Sequence, residues 1–315
     1  MQRSLVISVQ IGLLALIGCG GGAPESAPDP QTPSVDTSSQ EVLSVYTVNY
    51  PLQYLAERIG GELVEVTFLA PSDVDPAYWA PNPDEIASFQ QADLILLNGM
   101  GYAKWLERAT LPTSKLVDTS TGYQDRRIPL TEGAVHTHGP EGEHSHKGYA
   151  FTSWLDPRLA KEQAKSIAAA FSGAQPGSQD AFAANLASLN ADLDELNSRL
   201  EAAAQTIGDQ PLLFSHPVYQ YLEAGYGLNA RSVHWEPGEQ PATELWQELE
   251  AILAEHPARW MIWEGEPQTA TAKRLADLGV QSVVYDPCAN APSTGDLLSI
   301  MRGNVAALGS IAAAE

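Results

Sequence analysis

Apolar positions along the chain fall into short runs that alternate with helical spacing. In the first half, residues 43–48 (Leu-Ser-Val-Tyr-Thr-Val) read as a strand, and 52–59 as a short helix closed by Gly60-Gly61. Residues 63–69 form a second strand, 83–92 a helix, 93–97 a third strand, 103–108 a short helix and 115–117 a fourth strand. The second half repeats the scheme, with strands at 211–214, 230–233, 259–263 and 280–285. Helices at 218–224, 243–255 and 267–278 separate them, and a last helix starts near Thr294. Strands that alternate with helices of this length imply parallel sheets built from βαβ units. Two such sets imply two lobes.

Between the two sets, Phe182, Leu186, Leu189, Leu193, Leu196 and Leu200 recur at steps of four and three. That is one apolar seam along a long helix. It lasts under three heptads, so packing along the lobes fits better than a coiled coil. The expected fold is α/β: two lobes, each a parallel β-sheet flanked by helices, joined by one long linking helix. A helical link is stiff, which predicts a cleft between lobes that closes only modestly.

The N-terminus changes the picture of where this fold resides. Residues 5–17 are an apolar run interrupted by Ser8, Gln10 and Gly12. The run is shorter than the roughly 20 residues a membrane-spanning helix needs, and it has the length of a signal-peptide core. It ends in Leu16-Ile17-Gly18-Cys19, which resembles the lipobox of bacterial lipoproteins, where the Cys becomes the acylated N-terminus. Residues 20–41 are Gly, Pro, Ser and acid, with little to bury, and read as a flexible tether. With Cys19 acylated, Cys288 is the sole remaining thiol, so stability must come from packed cores rather than disulfides. The formal charge of −22 excludes a nucleic-acid backbone as partner and suits a cationic ligand.

Ligands of open α/β sheets bind beyond the carboxyl ends of the strands. In the second lobe those ends carry Ser215-His216, then His234-Trp235-Glu236, then Glu264 and Glu266, then Asp286 with Cys288 two residues on. Imidazole and carboxylate suit zinc, and mixed N/O sites also accept manganese. Each residue alone has a structural use: Asp286-Pro287 as a cap, Glu264 as an ion-pair partner, His216-Pro217 as a helix start. Their recurrence at successive strand ends is what favours a site. The first lobe offers only the oxygen donors Asn49, Ser72, Asp73, Asp75 and Asn98. Four of the seven histidines, His136, His138, His144 and His146, lie within eleven residues with Glu141 and Glu143 between them. Gly139-Pro140 marks this as a loop, and His-rich tracts of this kind bind zinc. No Gly-x-Ser-x-Gly or His-Glu-x-x-His pattern occurs, which leaves a hydrolase built on Cys288 or a zinc-bound water as the weakest reading.

These residues resemble the zinc- and manganese-binding solute-binding proteins of bacterial ABC importers. The resemblance runs from about Val42 to the C-terminus. It includes Asp75-Pro76 through Pro83, Ala92-Asp93-Leu94 through Asn98-Gly99, and Lys104-Trp105-Leu106. Further along it takes in Trp154-Leu155-Asp156-Pro157, Ser215-His216, Tyr226-Gly227-Leu228, Glu264 and Asp286-Pro287. It implies the same two-lobed fold and a metal held by four side chains. Two match His216 and Asp286, but the two first-lobe histidines are replaced by Ala77 and Thr152. The His-rich loop, joined directly to Thr152 through residues 148–151, is the expected source of the missing imidazoles, with Glu264 or Glu236 helping. A cleft remodelled around Tyr78, Trp79, Trp154, Trp235 and Trp263 for an organic ligand is one alternative, and a zinc buffer without a transporter is another.

The resulting expectation is a signal peptide at 1–18 and a lipidated Cys19 with its tether at 19–41. A first lobe at 42–156 carries the His loop at 133–148, a helical linker covers 157–208, and a second lobe covers 209–315. The resemblance implies a monomeric envelope lipoprotein, not an enzyme, that passes zinc (alternatively manganese) to an ABC permease. Its ligands are drawn from His216, Asp286, Glu264, His136, His138, His144 and His146.

Overall fold

A computed structural model describes residues 41–130, 135–137, 143–145 and 148–313. The leader, Cys19 and most of the tether lie outside the described residues.

The first sheet has the order β2-β1-β3-β4, all parallel: β1 (Leu43–Thr47), β2 (Val64–Phe68), β3 (Leu94–Leu97) and β4 (Leu116–Asp118). The second contains β7 (Leu212–Phe214), β8 (Ala230–Ser232), β9 (Trp260–Trp263) and β10 (Gln281–Val284) in the order β10-β9-β7-β8, again all parallel. Read from the other edge, the second order repeats the first, strand for strand. The duplication read from the sequence is therefore a duplication of topology. In each sheet the chain winds first one way and then the other from a central strand, β1 or β7. Such switch points leave a crevice at the carboxyl ends.

The elements form for local reasons. Helix α1 (Tyr50–Gly60) starts where the Asn49 carboxamide accepts the Leu52 N–H and Pro51 occupies the first turn; it ends at Gly61, with φ of 54°. Helix α2 (Pro83–Gln91) opens on a reciprocal capping box. Asn82 Oδ1 accepts the Asp84 and Glu85 N–H groups, and the Glu85 carboxylate accepts the Asn82 N–H.

After α2 come the two helices between the sheets, α3 (Pro157–Ala174) and α4 (Gln179–Ile207). Helix α4 has 29 residues, about 43 Å at 1.5 Å each. It buries Phe182, Leu189, Leu193, Leu196 and Leu200, the seam read from the sequence, while Leu186 is only partly covered. The second lobe adds α5 (Gln220–Tyr226), α6 (Thr243–Glu255), α7 (Thr269–Asp277) and α8 (Leu297–Ala313), the last packing along α4. The largest core is continuous from the first sheet through α4 to α8, and a second core lies on the other face of the second sheet. Among the described residues no helix is long and apolar enough to cross a membrane.

One segment differs from the sequence reading. Residues read wholly as a loop carry β5 (Val135–Thr137) and β6 (Glu143–Ser145), antiparallel, with His136 opposite His144 in the register.

Candidate metal centre

The carboxyl ends of the second sheet converge. His216 follows β7 and Glu264 follows β9, so the two flank the switch point of that sheet. Beyond the strands the pairing continues: Ser215 N–H bonds to the Ile262 carbonyl at 2.9 Å, and Trp235 N–H to the Ser215 carbonyl at 2.7 Å. This continuation draws Glu236, four residues past β8, alongside His216. His216 Nδ1 and Glu236 Oε1 stand 3.5 Å apart, and the His216 side chain is 6% exposed. One ligand atom from each of His216, Glu236 and Glu264 lies within 4.8 Å of the others, the spacing of groups that can share one ion.

This cluster opens into a cavity of about 650 Å³ between the lobes. The second lobe also contributes Asp286 and Cys288, and the first contributes Asp75, Tyr78, Thr152 and Trp154. Asp286 Oδ1 accepts the Cys288 N–H at 2.7 Å. Asp75 Oδ1 accepts the Ala77 N–H at 2.8 Å, which turns the chain into Tyr78.

The site is electrostatically crowded with acid. Burial, followed by the neighbouring Glu236, Asp75 and Asp286 carboxylates, pushes Glu264 up to about 8. Burial also raises Asp286, opposed by the Cys288 N–H. Tyr78 is pushed up to about 12, by burial and then by Asp75, Glu236 and Glu264. Like charges held close together are costly, and a divalent cation among them removes that cost. Cys288, raised to about 12 chiefly by burial, stays a thiol and is a poor ligand as it stands.

Not every sequence candidate comes to this place. Glu266 is exposed and outside the cluster. The exposed His234 has its ring centroid 6.0 Å from that of His216 but is not part of the cluster. Asn49 and Asn98 are buried framework, bonded to each other at 3.2 Å, with Asn98 also donating to the Phe151 carbonyl. The suggested aromatic lining holds only for Tyr78 and Trp154. Trp235 and Trp263 sit in the second-lobe core, and Trp79 packs against Trp105. Trp235 packs on Trp246 of α6 and on Trp263, so the bulk of these two is spent where α6 covers the second sheet. His138 and His146 lie outside the described residues, and of His136 and His144 only the backbone is described. Ala77 is buried, and the Thr152 hydroxyl donates to the Val218 carbonyl across the cleft, where the resemblance implies a first-lobe imidazole.

Known proteins resemble this chain in sequence and in fold. The family model for the zinc-uptake complex component A, periplasmic (ZnuA) matches residues 45–311. The high-affinity zinc uptake system protein ZnuA of Bacillus subtilis is 26% identical over 285 residues, covering 87% of this chain and 84% of that protein. A manganese-binding lipoprotein, MntA, of Halalkalibacterium halodurans is 24% identical over 237 residues, covering 75% and 72%. Among solved structures, the metal-dependent lipoprotein YcdH from Bacillus subtilis superposes with a TM-score of 0.73 at 24% identity, covering 85% of this chain and 98% of that one. A ZnuA crystal structure superposes with a TM-score of 0.67 at 26% identity, covering 87% and 99%. The order of the strands, the linking helix and the match over nearly the whole described chain agree: this protein belongs to the zinc-uptake complex component A family.

Proposed function

We propose that this chain captures a divalent metal ion, zinc, in the cleft between its lobes and hands it to the permease of an ABC importer. The observation that carries the proposal is the His216–Glu236–Glu264 cluster at the wall of the inter-lobe cavity. Asp286, two residues past β10, is a further ligand on this reading. An imidazole with carboxylates in a partly enclosed, acidic cleft suits zinc in the chemistry of its donors. The excess of carboxylate over imidazole favours manganese as the second candidate. The names of the relatives, which include both metals, are consistent with either. Metal analysis of the untreated purified protein decides between them. About one zinc per chain in the cleft is expected, manganese in its place selects the second reading, and protein without any affinity for either ion overturns both.

The four loop histidines, two of them on facing strands, are proposed to complete the nitrogen donors that Ala77 and Thr152 cannot supply. Deleting residues 136–146 is therefore expected to weaken the tightest zinc site by at least about tenfold, the loss that even an outer-shell partner brings, besides lowering the number of ions bound. Intact and deleted chains are compared by calorimetric titration. Unchanged affinity at the tightest site, with only weak sites lost, makes the loop a collector and leaves the cleft to complete its own coordination.

The same reading makes the protein a lipoprotein of the cell envelope. The apolar run ending at Gly18-Cys19 supports it, as do relatives named as lipoproteins. Mass spectrometry of membrane-extracted protein is expected to find a chain that begins at lipid-modified Cys19. A mature chain starting elsewhere contradicts this.

A further inference from the structure

The cavity is far larger than its metal cluster needs. Zinc sits about 2.0–2.3 Å from each donor atom, and the donor atoms of His216, Glu236 and Glu264 already lie within 4.8 Å of one another. A bare ion fits within that cluster. The cavity beside it holds about 650 Å³, inside the range of roughly 300–1,000 Å³ found for small-molecule sites. All three cluster residues belong to the second lobe, so the remaining space lies between the ion and the first-lobe wall.

That wall has the make-up of a ligand pocket. The rings of Phe151 and Trp154 stand edge-on to the ring of Tyr102, with centroids 5.1 and 5.8 Å away, and all three residues line the cavity. Tyr102 is 2% exposed, and no hydrogen bond of ordinary geometry satisfies its hydroxyl. The neighbouring Asn49 carboxamide is already engaged: its amide donates to Asn98 at 3.2 Å, and its oxygen accepts the Leu52 N–H at 3.1 Å. A buried hydroxyl left in this state is costly, and one polar group among apolar rings is how small-molecule sites fix orientation. Burial, then the nearby Asp75, raises this phenol well above its ordinary pKa, so it stays neutral and can both donate and accept.

Charge limits what can enter. Asp75 lines the cavity from the first lobe, and Glu236, Glu264 and Asp286 line it from the second. Further anionic groups are repelled by this set, whereas a neutral nitrogen donor or an ammonium group is not. Among the described residues of the lining, His216 is the one imidazole.

Resting on the reading that the cluster holds the ion, we propose that the cavity takes the ion together with a small organic co-ligand. This co-ligand is a neutral or zwitterionic chelator of the amino-acid class. Its nitrogen joins the coordination shell of the metal, its far polar group bonds to the Tyr102 hydroxyl, and Phe151 and Trp154 flank its apolar part. The cargo is then a metal complex rather than a bare ion.

The test is equilibrium dialysis of the full chain with zinc and isotopically labelled L-histidine, which carries both an amine and an imidazole. Each is also dialysed alone, and labelled citrate serves as the anionic chelator. About one histidine is expected per bound zinc, with little retained when zinc is absent and no citrate retained in either case. Tyr102→Phe keeps the ring and removes the hydroxyl. It is expected to weaken histidine binding to the zinc-loaded chain by up to about tenfold, the scale of one hydrogen bond. Histidine is counted per bound zinc, so a loss of metal cannot pass for a loss of co-ligand. Zinc retained without histidine overturns the co-ligand and leaves the metal site standing. Histidine retained equally without zinc, or citrate retained in its place, also overturns it. Histidine held equally well by Tyr102→Phe puts the complex elsewhere on the chain and overturns the pocket. Zinc retained under no condition removes the metal reading of the cluster itself.

Discussion

Glu264→Gln is expected to stabilise the metal-free protein at alkaline pH and, in the same molecule, to weaken metal binding. Glu264 is raised to about 8 by burial and by the Glu236, Asp75 and Asp286 carboxylates. Below the ordinary carboxylate range, near pH 4.5, folded and unfolded chains both hold this proton and the group contributes nothing to the pH dependence. Between there and about 8 the unfolded chain gives up the proton while the folded chain retains it, so stability falls as pH rises through this window. The whole shift corresponds to roughly 3–5 kcal/mol, shared among the coupled carboxylates. Glutamine carries no such penalty. The melting temperature of the variant without metal is expected to exceed wild type at about pH 8 by on the order of 5–10 °C, and the gap is expected to close near about pH 5. Zinc must displace the Glu264 proton below its pKa, so wild-type affinity is expected to rise with pH up to about 8 and the variant's to depend on pH less steeply. A variant no more stable than wild type at about pH 8 means that the carboxyl is already ionised at no cost, and the crowded-acid account of the cleft fails.

His216→Ala is expected to lower zinc affinity by about 100-fold or more, above the range for losing a mere outer-shell partner. His216 is the imidazole of the His216–Glu236–Glu264 cluster, and its side chain is nearly buried. Carboxylates can be replaced from within this cleft, which holds Asp75 and Asp286 as well. Among the described residues no second imidazole belongs to the cluster, since His234 lies outside it. Calorimetric titration reads the affinity, and a melting curve with and without zinc reads whether the metal still stabilises the fold. Retention of wild-type affinity places the tight site away from the cleft and overturns the proposed function.

Much of this site is legible in the order of residues alone, for a definite reason. Alternation of strands and helices marks parallel sheets, parallel sheets put ligands at strand ends, and His216, Glu236, Glu264 and Asp286 each follow a strand. The first three meet because β7, β8 and β9 are neighbours in hydrogen bonding. Two repeats of one pattern foreshadow that pairing, though not as a distance. Other features have no local signal. The bonds by which Trp154, Tyr50 and Pro71 of the first lobe meet Pro287, Ala289 and Asn290 each span more than 130 residues of chain, and no periodicity records such a contact. Trp235 and Trp263 read equally well as cleft or core, because a bulky aromatic at a strand end is decided by what packs on the far face. The pairing of β5 with β6 is hidden by the Gly and Pro between them, which signal a turn but not what flanks it.

Neither sheet borrows a strand from the other. β1 to β4 fall between residues 43 and 118, and β7 to β10 between 212 and 284. A chain made from its N-terminus can therefore close the first sheet while the second is still unmade, and all its crossovers are short, which favours fast pairing. The shared core cannot be finished in that order. Leu297, Met301, Val305, Leu308 and Ile311 of α8 belong to the same apolar cluster as β1 and α4. Helix α8, made after both sheets, thus seals a hydrophobic seam that includes β1, and until it arrives the flank of α4 that it covers remains open to water, to a chaperone or to another copy of the unfinished chain.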